Sequence, residues 1–410
     1  MRDFTRKTRV NYGIASYLYI SVPKYIMRQC IYCYGLINEK QISLEHTIPQ
    51  FLGGAYAPDR FKTYNVCRQC NNNLGLFVDA SFEKDWRVSQ SLSLCAHKTY
   101  SPEDDVGLPL LCMGVVKDLA VPEIQAEEVC ESWLGPSGEQ IYWIRPKDEN
   151  LYWYSGGNPI TTKSVKTRAY FMFSQRTTTN TRKTLLAFRD SFASRKRVKK
   201  ICCSIVEGFD MSQIGFAKPD DIDARRAEFF LRERLQGDPL PIQFSSNINF
   251  DTRFLAKLAI GIASSLFGEK TLQTTYRKEL QKALHLRPDD PMPAINGIPD
   301  LQRMKDPIFE QIMGSEGFVT ICMTALKEGI SINLNINANM NWVIKCADYA
   351  DLSEEDIQRL GFGLVLVLSK QKKKCVELPL IDYIAHKIGS VRHPALHALE
   401  ISASTNTAGG

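Results

Sequence analysis

Cys30-Ile31-Tyr32-Cys33 and Cys67-Arg68-Gln69-Cys70-Asn71 enclose Glu45-His46-Thr47-Ile48-Pro49 near the start of this 410-residue chain. The two CxxC pairs supply four soft thiolates, the ligand set of a closed tetrahedral zinc site. A zinc held by Cys30, Cys33, Cys67 and Cys70 fixes the distance between two backbone segments that a small module cannot otherwise keep rigid. One of those segments leads to Glu45-His46 and the other begins at Asn71, so the soft cluster stands beside the oxygen donors that harder divalent cations take.

Hydrolysis of a phosphodiester needs a base to deprotonate water and a cation to stabilise charge on the leaving oxygen. His46 suits the first task, because imidazole titrates near neutral pH. Glu45 and Asn71 offer ligands for a catalytic Mg or Mn ion, and a zinc-bound Cys70 gives its neighbour Asn71 a defined direction. Adjacent residues of a regular strand point to opposite faces. Glu45 and His46 therefore share one site only where the strand ends or bends, and Pro49 with Gly53-Gly54 supplies that place.

Taken together, Cys30-x2-Cys33, Glu45-His46-x-x-Pro49 with Gly53-Gly54, and Cys67-x2-Cys70-Asn71-Asn72-Asn73-Leu74-Gly75 leading to Asp79 resemble the HNH, or ββα-metal, endonucleases of the four-cysteine, zinc-braced subtype. The resemblance covers about residues 28–85. It implies that His46 activates water, that Glu45 and Asn71 bind one catalytic metal, and that zinc is structural. This chain has Glu45 where the family often has Asp or His. The family's middle asparagine, which steadies the base histidine, has Asn65 as its nearest candidate. The implied activity is divalent-metal-dependent cleavage of DNA, by nicking, in a genome-conflict setting such as restriction or anti-phage defence. The alternatives are a non-catalytic zinc-braced nucleic-acid-binding or scaffold protein, and an RNase or toxin using the same site.

Charge agrees with a polyanionic substrate at this end of the chain. The formal net charge is +6, and residues 1–90 hold 12 Lys+Arg against 7 Asp+Glu, which leaves 39 against 38 in the rest. The other eight cysteines, scattered in apolar contexts, read as reduced thiols of a cytoplasmic protein. Residues 12–27, although partly apolar, are interrupted by Ser16, Ser21, Pro23 and Lys24, so neither a signal peptide nor a membrane span is expected.

The fold class expected is α+β: an N-terminal zinc module over residues 1–90, a central α+β region over 91–240, and C-terminal helices with an antiparallel sheet over 241–410. Short aromatic runs at 110–116, 141–144 and 151–154, separated by turn clusters, predict a β-rich part, and a strand–helix pattern follows from 166. Strands are expected at 168–173 and 201–206, and helices from after Pro219 to Gln236, from an Asp251 N-cap to Gly268, and over 274–286. Apolar residues alternate with Ser331 and asparagines from Ile330 to Trp342, which predicts one long strand with a dry face and a solvated polar face. Arg195 to Lys200 reads as a solvated helix end or a DNA-backbone contact, Lys370 to Lys374 as a charged hairpin tip, and the tail from Ser402 as disordered. His97 and His285 read as surface or half-buried histidines, and His393 and His397, four apart but split by Pro394, are not expected to form a second metal site. Residues 91–410 are expected to control the nuclease, or to dock partner proteins of a defence operon, without supplying chemistry. A fragment ending near Gln90, if it folds, is accordingly expected to cut with less discrimination and more toxicity than the full chain.

Overall fold

The computed structural model describes residues 28–147, 155–193, 195–237, 239–244, 246–287, 289–298 and 312–404. The N-terminal run through Met27, the expected strand at 151–154 and the tail beyond Ser404 lie outside them. Among the described residues no helix is long and apolar enough to cross a membrane.

The first unit is small. A two-stranded ribbon, β1 (Arg28–Gln29) and β2 (Leu36–Ile37), carries the first CxxC between its strands. An antiparallel hairpin, β3 (Ile42–His46) and β4 (Lys62–Cys67), follows, and Cys67 then caps helix α1 (Arg68–Leu74). The helical path continues through one π-turn, Gly75–Asp79, into α2 (Ala80–Glu83) and, after Asp85 as N-cap, α3 (Trp86–Thr99). Residue 90, the expected end of the module, falls inside α3. The apolar periodicity carries across that point, and its buried face packs on the rest of the molecule.

The central residues form one mixed six-stranded sheet. β5 (Leu111–Val116), β6 (Glu128–Leu134) and β7 (Gln140–Pro146) are antiparallel; β5 and β7 fall on two of the expected runs, and β6 on none of them. Helix α4 (Pro159–Ser164) leads into β8 (Thr167–Met172), which pairs with β7. From β8 the chain crosses through α5 (Thr181–Phe192) to a parallel β9 (Val198–Cys202). The second strand is thus placed three residues earlier than its apolar residues suggested. Phe188 and Phe192 of α5 pack on one face of this sheet. The other face is covered by Phe229 and Phe230 of α6 (Asp221–Gln236), which runs from an Asp220 capping box to left-handed Gly237. The short β10 (Ile242–Gln243) closes the edge against β5.

Helix α7 (Ile248–Phe267) starts three residues before the predicted cap. Asn247, rather than Asp251, accepts the N-cap hydrogen bond, from the Asn249 N–H. Asp251 lies one turn inside, buried, where it accepts from Arg87 of α3 at 3.1 Å and from the Trp342 indole at 3.2 Å. The helix expected over 274–286 is α8 (Thr275–Leu284), with Thr274 as its N-cap.

The C-terminal sheet has the order β11-β14-β13-β12-β15-β16, antiparallel throughout: β11 (Gly297–Ile298), β12 (Val319–Leu326), β13 (Gly329–Ile336), β14 (Met340–Ala347), β15 (Gly363–Ser369) and β16 (Lys374–Pro379). Helix α9 (Glu354–Leu360) connects β14 to β15. The long alternating stretch is therefore two strands. Ile336 pairs with Met340 around a turn in which Asn337 and Ala338 take left-handed φ of 61° and 53°. Two paired residues share a face, and these are four apart, so the period of 2 passes through the turn unbroken. The polar face is covered along β13, while Asn339 in the turn is exposed and Asn341 half-buried. Asn333 and Asn335 are buried, on the face covered by α10 (Leu380–Lys387) and α11 (Pro394–Ser404) through Tyr383, Leu396 and Leu399. Helix α11 takes in Ser402–Ser404, the start of the tail expected to be disordered.

One apolar core joins the first unit to the C-terminal half. Phe82 of α2 stacks on Phe254 of α7 at 3.8 Å and meets Trp342 of β14 edge-on at 5.1 Å. The same cluster holds Cys30, Ile48 and Phe61 together with Leu258, Ile262, Leu280, Ile321 and Leu334. With α7 and α8 between them, the zinc-site hairpin and the C-terminal sheet have no separate interiors.

Candidate active site

The four cysteine sulfurs lie within 4.8 Å of one another, and Cys33 and Cys67 are 3.9 Å apart. Zinc–thiolate bonds of about 2.3 Å in a tetrahedron put sulfurs about 3.8 Å apart, so this set fits a zinc ion with little movement. The backbone N–H groups of Cys67 and Cys70 donate to the sulfurs of Cys30 and Cys67, both at 3.4 Å, as thiolate ligands require. The Cys70 thiol beside it pulls Cys30 down to about 4, which favours a thiolate there. Among the described residues this is the one group of three or more His, Cys, Asp or Glu side chains close enough to hold an ion. His393 and His397 form no such group. His397 meets Arg392, and it is His386 that pairs with Glu400, at 3.0 Å.

His46 ends β3, opposite Lys62 of β4. Its imidazole is half-buried and its Nδ1 lies 3.4 Å from the Gln50 amide. Burial first, and then the Lys62 charge, lower its pKa below the ordinary histidine value, so the neutral base form prevails at neutral pH. Asn71 is held across from the same strand. Its amide nitrogen donates to Ser43 Oγ at 2.8 Å and to the Leu44 carbonyl at 2.7 Å, which leaves its Oδ1 without a hydrogen bond. The second cysteine knuckle and the hairpin thus aim one amide oxygen beside the strand that carries Glu45 and His46.

Glu45 is placed differently from His46. The hairpin register slips between Ser43 and Glu45, but beyond the slip the ladder is regular, with Glu45 opposite Thr63 and His46 opposite Lys62. The two side chains therefore take opposite faces. Glu45 is 4% exposed, and its Oε1 accepts from the Tyr32 hydroxyl at 3.1 Å and lies 3.0 Å from Lys257 Nζ of α7. Among the described residues Oε2 makes no hydrogen bond. Lys257 also reaches Asp79 at 2.5 Å. Burial pulls Lys257 downward, but Asp79 and Glu45 outweigh it and hold the ammonium charged.

Asn65 is bound through its backbone, donating to Thr63 Oγ1 at 3.0 Å and accepting from the Ile31 N–H at 2.9 Å. No hydrogen bond links it to His46. The basic run from Arg195 is engaged within the protein and lies at the entry to β9, not at a helix end. Arg195 lies over the Trp143 ring at 4.5 Å, Arg197 donates to the Ser164 carbonyl, and Lys199 pairs with Asp220 and Asp223. Lys372 and Lys373 sit at the expected hairpin tip, paired with Asp104 and Asp105.

Three groups at this site were not singled out from sequence. Lys257 interrupts the apolar run Phe254 to Ile260, and a single charge within a buried helix face is the signal that marks it. Tyr32 lies inside the first CxxC. Arg277, 2% exposed, donates to the Ile31 carbonyl inside the same knuckle.

Residues 30–87 match the family model of the HNH endonucleases, and this stretch forms the hairpin, the four-cysteine cluster and the helices that follow them. No curated protein and no solved structure matches the chain significantly.

Proposed function

We propose that the chain is a divalent-metal-dependent endonuclease that hydrolyses DNA phosphodiester bonds, with His46 as the general base. The observation that carries this reading is the half-buried, predominantly neutral imidazole of His46 on the same hairpin strand that fixes the Asn71 amide. Two acceptor oxygens without a hydrogen bond among the described residues, Asn71 Oδ1 and Glu45 Oε2, are the hard donors offered to a Mg or Mn ion; because Glu45 leaves β3 on the face opposite His46, such an ion would serve both only at the end of that strand. When bound, that ion supplies stabilisation of the charge that grows on the leaving oxygen. His46 takes the proton of the attacking water, and the zinc cluster keeps α1 and the hairpin at fixed separation. A single site cuts one strand, so nicking is the expected outcome. The setting we favour is genome conflict, with the central sheet unit sensing or docking a partner.

A second reading rests on Glu45, whose inward carboxylate already has Lys257 as a counter-ion. A zinc-braced nucleic-acid-binding protein without catalysis needs no more than that. Supercoiled plasmid and single-stranded RNA incubated with the zinc-loaded protein and Mg or Mn, then with EDTA, decide between them. Metal-dependent nicking of the plasmid supports the DNA endonuclease, cleavage of RNA alone supports a ribonuclease, and binding without cleavage supports the second reading.

A further inference from the structure

Helix α7 is buried on nearly every side, yet its interior carries Lys257, 3% exposed at the side chain. Burying an ammonium costs several kcal/mol before any pairing, and an apolar residue of similar volume packs such a position at no such cost. Lys257 is thus poorly explained by packing alone. Its partners are Glu45 and Asp79, so two carboxylates share one ammonium, with the Tyr32 hydroxyl as a neutral donor. One carboxylate is under-compensated, and Asp79 Oδ1 is buried with no hydrogen-bond partner. The cluster lies directly behind the strand that ends in His46.

The docking of α7 against that strand is close. Gly261, one turn on from Lys257, has no room for a side chain: a Cβ there would lie 2.8 Å from Thr47 Cβ and 3.2 Å from its carbonyl oxygen. Thr47 also meets Ser265 Oγ at 3.0 Å. The residue that follows His46 is therefore in contact with the helix that carries Lys257.

We infer that Lys257 is a positioning residue of the nuclease site: it clamps Glu45 by Oε1, fixes the carboxylate plane, and so presents Oε2 for a divalent cation. This rests on the endonuclease reading above. Partners one step removed from a metal act in this way, orienting a ligand they touch. The consequence is that chain beyond residue 90 completes the site.

The test is a double-mutant cycle on the full chain, with zinc content and the circular dichroism spectrum checked for each variant. Lys257→Met is expected to lower the nicking rate at limiting Mn²⁺ by about tenfold or more, and to weaken Mn²⁺ binding, read by calorimetric titration, to a similar degree. In a Glu45→Gln background the same substitution is expected to add little to the loss of Mn²⁺ affinity, because Lys257 acts through Glu45. Lys257→Arg, which keeps the charge and changes its reach, replaces Lys257→Met if that variant does not fold, with the same expectations. A folded, zinc-loaded variant with unchanged or tighter Mn²⁺ binding overturns the inference, as does full additivity. Failure of the wild type to cleave overturns the endonuclease reading and leaves Mn²⁺ binding to judge Lys257; a wild type that neither cleaves nor binds Mn²⁺ overturns both.

Discussion

Arg277 of α8 donates a 2.7 Å hydrogen bond to the carbonyl oxygen of Ile31, which lies between the two cysteines of the first knuckle, 246 positions earlier. Its guanidinium also binds the Ile260 carbonyl at 3.0 Å, and Gln281, one turn on, donates to the Tyr32 carbonyl. Two side chains of one helix thus satisfy two buried carbonyls of the zinc knuckle, groups that would otherwise be desolvated without partners. Arg277→Met removes those donors and is expected to destabilise the protein by about 3 kcal/mol or more, seen as a lower urea midpoint and faster loss of zinc to a chelator.

A fragment ending near Gln90 is a harsher version of the same change. It cuts α3 and strips α7, α8 and the sheet from Cys30, Ile48, Phe61 and Phe82, all fully buried in the whole chain. The fragment is expected not to fold, with poor amide dispersion in an NMR spectrum and substoichiometric zinc, rather than to be an unrestrained nuclease. A dispersed, zinc-loaded and active fragment would show that α7 and α8 are dispensable.

The close grouping of the four cysteines was legible because two CxxC motifs encode it locally, and the roles proposed for His46 and Asn71 rest on equally short signals, Glu-His-x-x-Pro and the cysteine–asparagine junction. The helix after Pro219 was legible at both ends, from the proline before it to Gln236, and Gly237 follows as its left-handed cap. What could not be read was long-range. Nothing within reach of Glu45 in sequence shows that a lysine from α7 will meet it. Two further misreadings have a local cause: alternation survives a turn of even offset, and asparagines look solvated until helices far downstream, α10 and α11, cover them.

His46→Ala should reduce nicking by about 10² to 10⁴ in rate, the usual loss for a general base, with zinc content unchanged because no cysteine ligand touches His46. Gel densitometry of supercoiled plasmid, beside metal analysis of the same preparation, measures both. A variant nicking at the wild-type rate removes His46 from the base role.

Each zinc ligand should behave alike despite different exposure. Cys30 is buried and Cys33 exposed, so a packing argument alone predicts that only Cys30→Ser is harmful. If the metal supplies the stability, Cys33→Ser also lowers the thermal midpoint and the bound zinc, because three thiolates close the site less well than four. Atomic absorption and a thermal melt of the Cys33→Ser protein separate the two accounts.

Asp251 ties three elements together and should leave a pH signature on stability. Burial raises its carboxyl to about 6 although Arg87 opposes the shift, and its Oδ1 is buried without a partner. An unfolded aspartate titrates near pH 4, at about 3.9. Between about pH 4 and pH 6 the folded state therefore retains a proton that the unfolded chain has released. By linkage, this group's contribution is most favourable below about pH 4, declines as pH rises through that window, and is lost above about 6. A shift of about two units corresponds to about 3 kcal/mol. Asp251→Asn keeps an acceptor for the Trp342 indole while abolishing the titration. The wild type is expected to lose stability relative to Asp251→Asn between pH 4.5 and 7 by on the order of 2 kcal/mol, measured by urea unfolding at both values. Parallel stability curves for the two proteins would mean that Arg87 compensates the buried charge in full.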